Sequence, residues 1–217
     1  MTAVVNEILY LECCSGISGD MVVGALLDLG ADEEVLGKAL ISLPLEGFHI
    51  EIERVKKSGL DACDFRVCLD EAYENHDYDM NYLYMSEHGG QHEHDADCSR
   101  GHTHSPKSDD VHEHTHHHHT HRTLRDVVEI LSGADLTERA RDLAVRIFTI
   151  LGEAEAKAHG TTLEHVHFHE VGAVDSIVDI TAVAVCIDNL GIRDVVIPVL
   201  YEGTGNIRCQ HGTLPIP

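Results

Sequence analysis

The chain has 217 residues, 43% of them hydrophobic, and a formal net charge of −23 with histidine neutral. That length and apolar content are enough for a buried core, as one large domain or two small ones. The acidity disfavours nucleic acid and anionic membrane surfaces and favours cations, and four phenylalanines with no tryptophan leave few platforms on which bases stack.

The seven cysteines are odd in number. None forms a C-x-x-C; Cys13 and Cys14 are vicinal, and Cys63, Cys68, Cys98, Cys186 and Cys209 stand apart. This is no disulfide framework, and a reduced, cytoplasmic setting is expected. Met1–Leu11 has neither a basic region nor a long apolar stretch, so no signal peptide is read there. The longest apolar run, near Ile180–Ile187, is too short to span a bilayer.

In chain order, Ile8–Glu12 reads as a short buried strand, followed by the turn Ser15-Gly16-Ile17-Ser18-Gly19-Asp20. Met21, Val22, Ala25, Leu26 and Leu29 recur at helical spacing, with Gly30 as the stop. Asp32–Ser42 reads as a second helix. Phe48–Val55 and Ala62–Leu69 alternate around Lys57-Ser58-Gly59, the pattern of a β-hairpin. From Asp70 to Arg122 the composition turns to His, Asp, Glu, Ser and Tyr. Such a segment buries too little apolar surface to offset its ordering entropy, so it is expected to be a disordered insertion between two folded halves. Beyond it, Leu124–Leu131 reads as a short helix, and Asp135 with Glu138 resembles a capping box for a long helix that ends near Gly160. Val174–Leu190 reads as a mostly buried helix, and Val195–Leu200 as an edge strand interrupted by Pro198. Gly203–Pro217 reads as a Gly- and Pro-rich loop. The expected fold class is α+β, a small mixed sheet with packed helices, divided as an N-terminal α/β segment over 1–70, a His-rich acidic disordered insertion over 71–122, and a helical/α+β segment over 123–217.

Chemistry concentrates in the histidines. Of the 19 in the chain, 12 lie between His88 and His121: His88, His92, His94, His102, His104, His112, His114, the run His116-His117-His118-His119, and His121. Neutral imidazole is the commonest ligand for nickel, zinc and copper, so this tract reads as a place that gathers transition-metal ions through many overlapping ligand sets. An inert solvated linker is the plainer alternative. A second group is Glu164-His165-Val166-His167-Phe168-His169-Glu170. On a strand, His165, His167 and His169 share one face, spaced about 7 Å apart at a rise of about 3.3 Å per residue. Three so placed cannot all ligate one ion without bending, whereas two can, with a carboxylate. Asp175 and Asp179, four apart on the next helix, share a face and offer those oxygens or a hydrogen-bonding shell. Surface histidines and helix-solvating aspartates are the competing reading. Glu155 and His159 are also four apart, and there a solvated helix face is preferred. The Ser15–Asp20 turn enters a helix N-terminus, where backbone N–H groups meet anions. It is neither a Walker motif nor G-x-G-x-x-G, and a tight connection with Ser18 as N-cap explains it equally well.

Three stretches resemble the signatures of one family: Cys14-Ser15-Gly16-Ile17-Ser18-Gly19-Asp20-Met21, then Phe168-His169-Glu170-Val171-Gly172-Ala173-Val174-Asp175-Ser176-Ile177-Val178-Asp179-Ile180, and His211-Gly212-Thr213-Leu214-Pro215-Ile216-Pro217. The family is that of the nickel-pincer-nucleotide nickel insertion proteins, whose poly-His insertion falls where the tract falls here. One departure is Glu12, where the family pattern usually has Asp. Another is length, since full members run well beyond the third motif. The resemblance implies insertion of Ni²⁺ into pyridinium-3,5-bisthiocarboxylic acid mononucleotide, which completes the cofactor of lactate racemase and related enzymes. It implies dependence on CTP and on a helper Mn²⁺ or Mg²⁺, through the C-terminal half that this chain does not span. Some members are encoded in two pieces, so a separately encoded C-terminal half and the racemase apoenzyme are the implied partners. Within that reading the His tract gathers nickel, and His167, His169, Asp175 and Asp179 supply an ordered metal site. His169 or Glu170 serves as the base for the ring proton lost when a Ni–C bond forms, and Ser15, Gly16, Ser18, Gly19 and Asp20 hold the nucleotide's phosphate. A nickel store or metallochaperone without catalysis is the alternative. A metal-dependent hydrolase ranks last, since no H-E-x-x-H is present.

Overall fold

The computed structural model describes residues 8–14, 16–70, 122–168, 171–201, 203–209 and 212–216. Ser15, the His tract with the rest of 71–121, His169 and Glu170 lie outside the described residues.

Five helices are described: α1 (Gly19–Asp28), α2 (Glu33–Ile41), α3 (Leu124–Gly133), α4 (Glu138–His159) and α5 (Val174–Asn189). Strands β1 (Ile8–Tyr10), β2 (Phe48–Lys57), β3 (Leu60–Leu69), β4 (Arg122–Thr123), β5 (His167–Phe168), β6 (Asp194–Val196), β7 (Asn206–Cys209) and β8 (Gly212–Pro215) accompany them. The α+β class is as expected, and among the described residues the strands pair as four two-stranded ribbons. β1–β6 is parallel; β2–β3, β4–β5 and β7–β8 are antiparallel.

Helix α5 is the element on which the others pack. It buries Val174, Ile177, Val178, Thr181, Ala182, Ala184, Val185 and Cys186, which cover most of its circumference, as a helix inside a core requires. Its polar core residue is satisfied locally, since the Thr181 hydroxyl donates to the Ile177 carbonyl at 2.7 Å. Helices α1, α2 and α4 lie against α5, β3 touches α1 and α5, and α3 packs on α4. One apolar cluster runs from Leu9, Val23 and Phe65 to Val127, Phe148 and Ile177, and so draws on both sides of residues 71–121.

The ends of the elements follow from local chemistry. Asp32 caps α2 by accepting from the N–H groups of Glu34 and Val35 at 2.9 and 3.1 Å. The Asp32 N–H in turn donates to Asn189 Oδ1 at 2.9 Å, which ties α2 to the end of α5. A capping box is present, but at Thr123 and Asp126 of α3 rather than at Asp135 and Glu138. For α4 the cap is Thr137, whose hydroxyl accepts from Ala140 N–H at 3.1 Å. Asp135 is drawn off because its N–H donates to Ser42 Oγ at 2.8 Å. The hairpin turn puts Ser58 and Gly59 at φ +53° and +85°, the two left-handed positions of a type I′ turn. Its register turns Phe48, Ile50, Ile52, Phe65, Val67 and Leu69 onto the core, and His49, Glu51, Asp64, Arg66 and Cys68 to the other face.

Three further expectations are corrected. Of β1, only Leu9 is buried, because a two-stranded ribbon has one face on the core and one outside. β6 ends at Val196, ahead of Pro198. The stretch read as a loop over Gly203–Pro217 contains the β7–β8 hairpin; Pro215 closes β8, a strand end where a missing N–H is tolerated.

The close approach of α1 to β3 rests on Gly24. A Cβ there would stand 2.6 Å from the Cys63 carbonyl oxygen. Gly24→Ala is expected to destabilise by about 1–3 kcal/mol through overpacking. Gly37→Ala in α2, where nothing lies within 4 Å, is expected to stabilise by about 0.5–1 kcal/mol. Urea unfolding midpoints of the two variants, moving in opposite directions, check this.

Candidate metal and nucleotide site

From β1 the chain passes Cys13 and Cys14, bends at Gly16 (φ +84°), and enters α1 at Ser18 and Gly19. The Gly16 N–H donates to the Cys13 carbonyl at 3.2 Å, which makes the bend tight. Ser18 occupies the N-cap in an extended conformation, yet its hydroxyl caps no backbone N–H. It donates instead to Asp20 Oδ1, so the side chain of the first turn is held by its own cap residue.

The first turn of α1 lies on the first two turns of α5. The contact is through a missing side chain: a Cβ on Gly19 would stand 2.5 Å from Asp179 Oδ2 and 2.8 Å from Asp179 Cβ and Cγ. Asp175 and Asp179, on one face of α5 as expected, and Asp20 of α1 form an acidic group between two helix N-termini. Asp175 Oδ1 and Asp179 Oδ1 are both buried with no hydrogen-bond partner. Burial first, then the charges of Asp20 and Asp175, push the Asp179 carboxyl up to about 7. Buried carboxylate oxygens without donors are costly unless they are protonated or meet a cation. The arrangement is therefore chemically suited to taking either a proton or a divalent ion near neutral pH.

The histidines predicted to join these acids are placed differently. His165 lies in a turn, not on a strand, and its Nδ1 hydrogen-bonds Thr162 Oγ1 at 2.9 Å, so it does not share a strand face with His167. His167 is exposed on β5 opposite Thr123 of β4, beside the point where the chain returns from the His-rich segment. Phe168, its neighbour, is buried against Phe148 with ring centroids 6.1 Å apart. Gly172 makes room for Phe168, since a Cβ there would lie 2.8 Å from the Phe168 Cβ. The Arg122 guanidinium donates to the Gly172 carbonyl at 2.5 Å and so ties β4 to the entry of α5. The structure thus gathers Gly19, Asp20, Asp175 and Asp179, and leaves His167 outside that group. Among the described residues, no triad with ligand atoms within 4.8 Å of one another includes Asp20, Asp175, Asp179 or His167. The triad that meets this distance is His49, Glu51 and Cys68 on the hairpin, which reading the strands singly missed. Glu155 and His159 pair at 3.3 Å along α4. A cleft of about 250 Å³ lies at the far end of α5, by Lys38, Thr137 and Asp188.

The α+β chain carries a highly negative charge, which attracts cations, and two buried carboxylate oxygens without partners at a helix–helix contact. Comparison with known proteins makes this specific: the nickel insertion protein family matches residues 9–217, and the chain belongs to that family. It is 49% identical over 209 residues to the pyridinium-3,5-bisthiocarboxylic acid mononucleotide nickel insertion protein of Alkaliphilus metalliredigens, covering 96% of this chain and 43% of the relative. The proteins of the same description from Clostridium acetobutylicum and Acetivibrio thermocellus are 45% and 36% identical, each over 97% of this chain and over 47% and 43% of the relative. The chain spans about half the length of the curated relatives it matches. No solved structure matches it. No described helix is long and apolar enough to cross a membrane.

The raised Asp179 carboxyl has a consequence for stability. Its unfolded value is near 3.8 and its folded value about 7, so the folded state binds more protons between these limits. This group's contribution to stability therefore falls as pH rises from 4 to 7, and is constant above. Asp179→Asn is expected to leave stability unchanged at pH 4 and to raise it at pH 8 by about 1–2 kcal/mol, discounted from the full shift for solvent access. Denaturant unfolding of both proteins at the two pH values checks it.

Proposed function

We propose that this chain is the metal-handling part of an enzyme that inserts Ni²⁺ into pyridinium-3,5-bisthiocarboxylic acid mononucleotide. The observation that carries this is the 49% identity, across 96% of the chain, to a protein named for that insertion. The product cofactor serves lactate racemase-type enzymes in the cytoplasm. CTP, with Mn²⁺ or Mg²⁺, acts through the portion of the relatives that this chain does not span, supplied as a continuous or a separately encoded half, and the racemase apoenzyme receives the product.

In this reading nickel is cargo. The histidines between His88 and His121 gather it, Asp20, Asp175 and Asp179 offer it oxygen atoms, and His167 and His169 are assigned as its nitrogen ligands. A hard, oxygen-rich site that titrates near neutral pH suits transient holding, because it yields the ion to two sulfurs and a carbon. The turn of Gly16, Ser18, Gly19 and Asp20 into α1 offers backbone N–H groups of a helix start to the nucleotide's phosphate, a role to which Ser15 is also assigned. Forming the Ni–C bond releases one ring proton, which His169 or Glu170 accepts.

The test is insertion followed by mass spectrometry. The chain is mixed with metal-free pincer nucleotide, Ni²⁺, CTP and Mn²⁺, with and without the remaining portion of a relative. Nickelated product is expected when both portions are present, and its absence there overturns the proposal. In the complete protein, His169→Ala with Glu170→Gln is expected to slow insertion by about a hundredfold or more. An unchanged rate removes the assigned base.

A further inference from the structure

The outer face of the β2–β3 hairpin carries a group that the nickel-insertion reading does not use. His49 and Glu51 alternate onto the same face of β2, and Cys68 stands directly opposite His49 on β3. Directly opposed residues in an antiparallel pair have Cβ atoms about 5 Å apart, so the strand register itself aims these side chains at one point. One imidazole nitrogen, one carboxylate oxygen and the thiol sulfur lie within 4.8 Å of one another. A tetrahedral ion with bonds of about 2.0–2.3 Å needs its ligands about 3.3–3.7 Å apart, so closure asks only for small χ rotations on an exposed ribbon.

The carboxylate is oriented for this. Glu51 Oε2 is ion-paired with Arg66 Nη2 at 3.1 Å, which restrains the group. Glu51 Oε1 points the other way and lies 3.8 Å from His49 Nε2. The Cys68 sulfur and a Glu51 carboxylate oxygen lie within 4.8 Å of one another. Arg66 is itself anchored, through Nε to Asp64 Oδ2 at 3.3 Å. One oxygen of Glu51 is thus engaged by a guanidinium, and the other faces an imidazole and a thiol.

The geometry points to a divalent transition-metal site formed by His49 Nε2, Glu51 Oε1 and Cys68 Sγ, with water as the fourth ligand. A mixed nitrogen, oxygen and sulfur set selects ions of borderline softness such as Zn²⁺, Ni²⁺ and Co²⁺ over Mg²⁺ and Ca²⁺. On binding, the S–H bond of Cys68 is replaced by a metal–sulfur bond and the proton leaves to water; no electron is transferred. The site lies at the end of β3, two residues before Asp70, where the chain leads into the His-rich segment. It provides a thiolate-containing station at the root of an imidazole-rich one. It is independent of the aspartates at the α1–α5 contact.

The experiment uses the whole chain with Co²⁺ as probe, in a reductant that does not bind metal. Imidazole ligands of the His tract give no thiolate-to-cobalt charge-transfer band in the near ultraviolet, whereas Cys68 does. The band is expected in the parent chain at saturation, lost in Cys68→Ser, and retained in Cys98→Ser, the control for the cysteine within the His tract. Glu51→Gln, a nearly isosteric change on the exposed face, is expected to keep the band but shift its midpoint to about tenfold higher Co²⁺ or more. Far-ultraviolet circular dichroism matched to the parent shows that each variant is folded; should Cys68→Ser fail this, the Glu51→Gln shift decides. A parent chain without the band, a band of full size in Cys68→Ser, or an unshifted midpoint in Glu51→Gln overturns the site.

Discussion

The contact between Gly19 and Asp179 sets the geometry of this protein's acidic site. Helix α1 lies close to α5 because residue 19 has no side chain, and the space a Cβ would fill is taken by a carboxylate. Two helix N-termini are thereby brought to one place, and their dipoles make that place favourable to negative charge. Three aspartates are nonetheless more than the dipoles can hold at neutral pH, since Asp179 is raised to about 7 by burial and by Asp20 and Asp175. The Asp179 carboxyl therefore changes charge near neutral pH.

That contact depends in turn on the burial of α5. A helix apolar on nearly all sides must be covered on all sides, and α1, α2, α4 and β3 supply the cover. Polar ties fix the cover in place: Asp28 accepts from the Cys63 N–H at 2.9 Å and pairs with Arg54, which locks the end of α1 to the hairpin. Those donors hold the Asp28 carboxyl below the usual range. Arg139 and Thr137 bond Asp188 at 2.9 and 2.6 Å, which locks the start of α4 to the end of α5. Asp28 and Asp188 have donors, while Asp175 and Asp179 each leave an oxygen without one. This contrast separates structural carboxylates from those of the site.

Period and punctuation made much of the fold legible from the sequence. The 3.6-residue pattern located α1 and α4, α2 and α5 were read as a second helix and a mostly buried helix, and alternation around Ser58-Gly59 located the hairpin. Cap choice was less legible, because Asp135 and Thr137 are both good caps, and only a tertiary hydrogen bond from Asp135 N–H to Ser42 removes the first. The β7–β8 hairpin was hidden by its glycines and prolines, which also read as loop. Of the site, the i, i+4 pair Asp175 and Asp179 was visible from helical spacing, and so was the turn before α1. That Gly19 and Asp179 touch was not, since a contact across 160 residues leaves no periodic trace. Alternation on β5 also misled: it predicted a shared face for His165 and His167, but the two-residue strand begins only after the turn that holds His165.

The hairpin shows what pairing adds to pattern. His49 and Glu51 are an ordinary exposed alternation when β2 is read alone, and Cys68 is an isolated cysteine when β3 is read alone. The two-residue turn fixes the register, and the register alone puts Cys68 opposite His49. A one-residue slip would turn Cys68 to the core face and Val67 outward, so the same constraint that buries Phe65 and Val67 is what assembles the triad. The fold and this group of ligands therefore stand or fall together. The turn residues Ser58 and Gly59, far from any ligand in the sequence, are the ones that hold it.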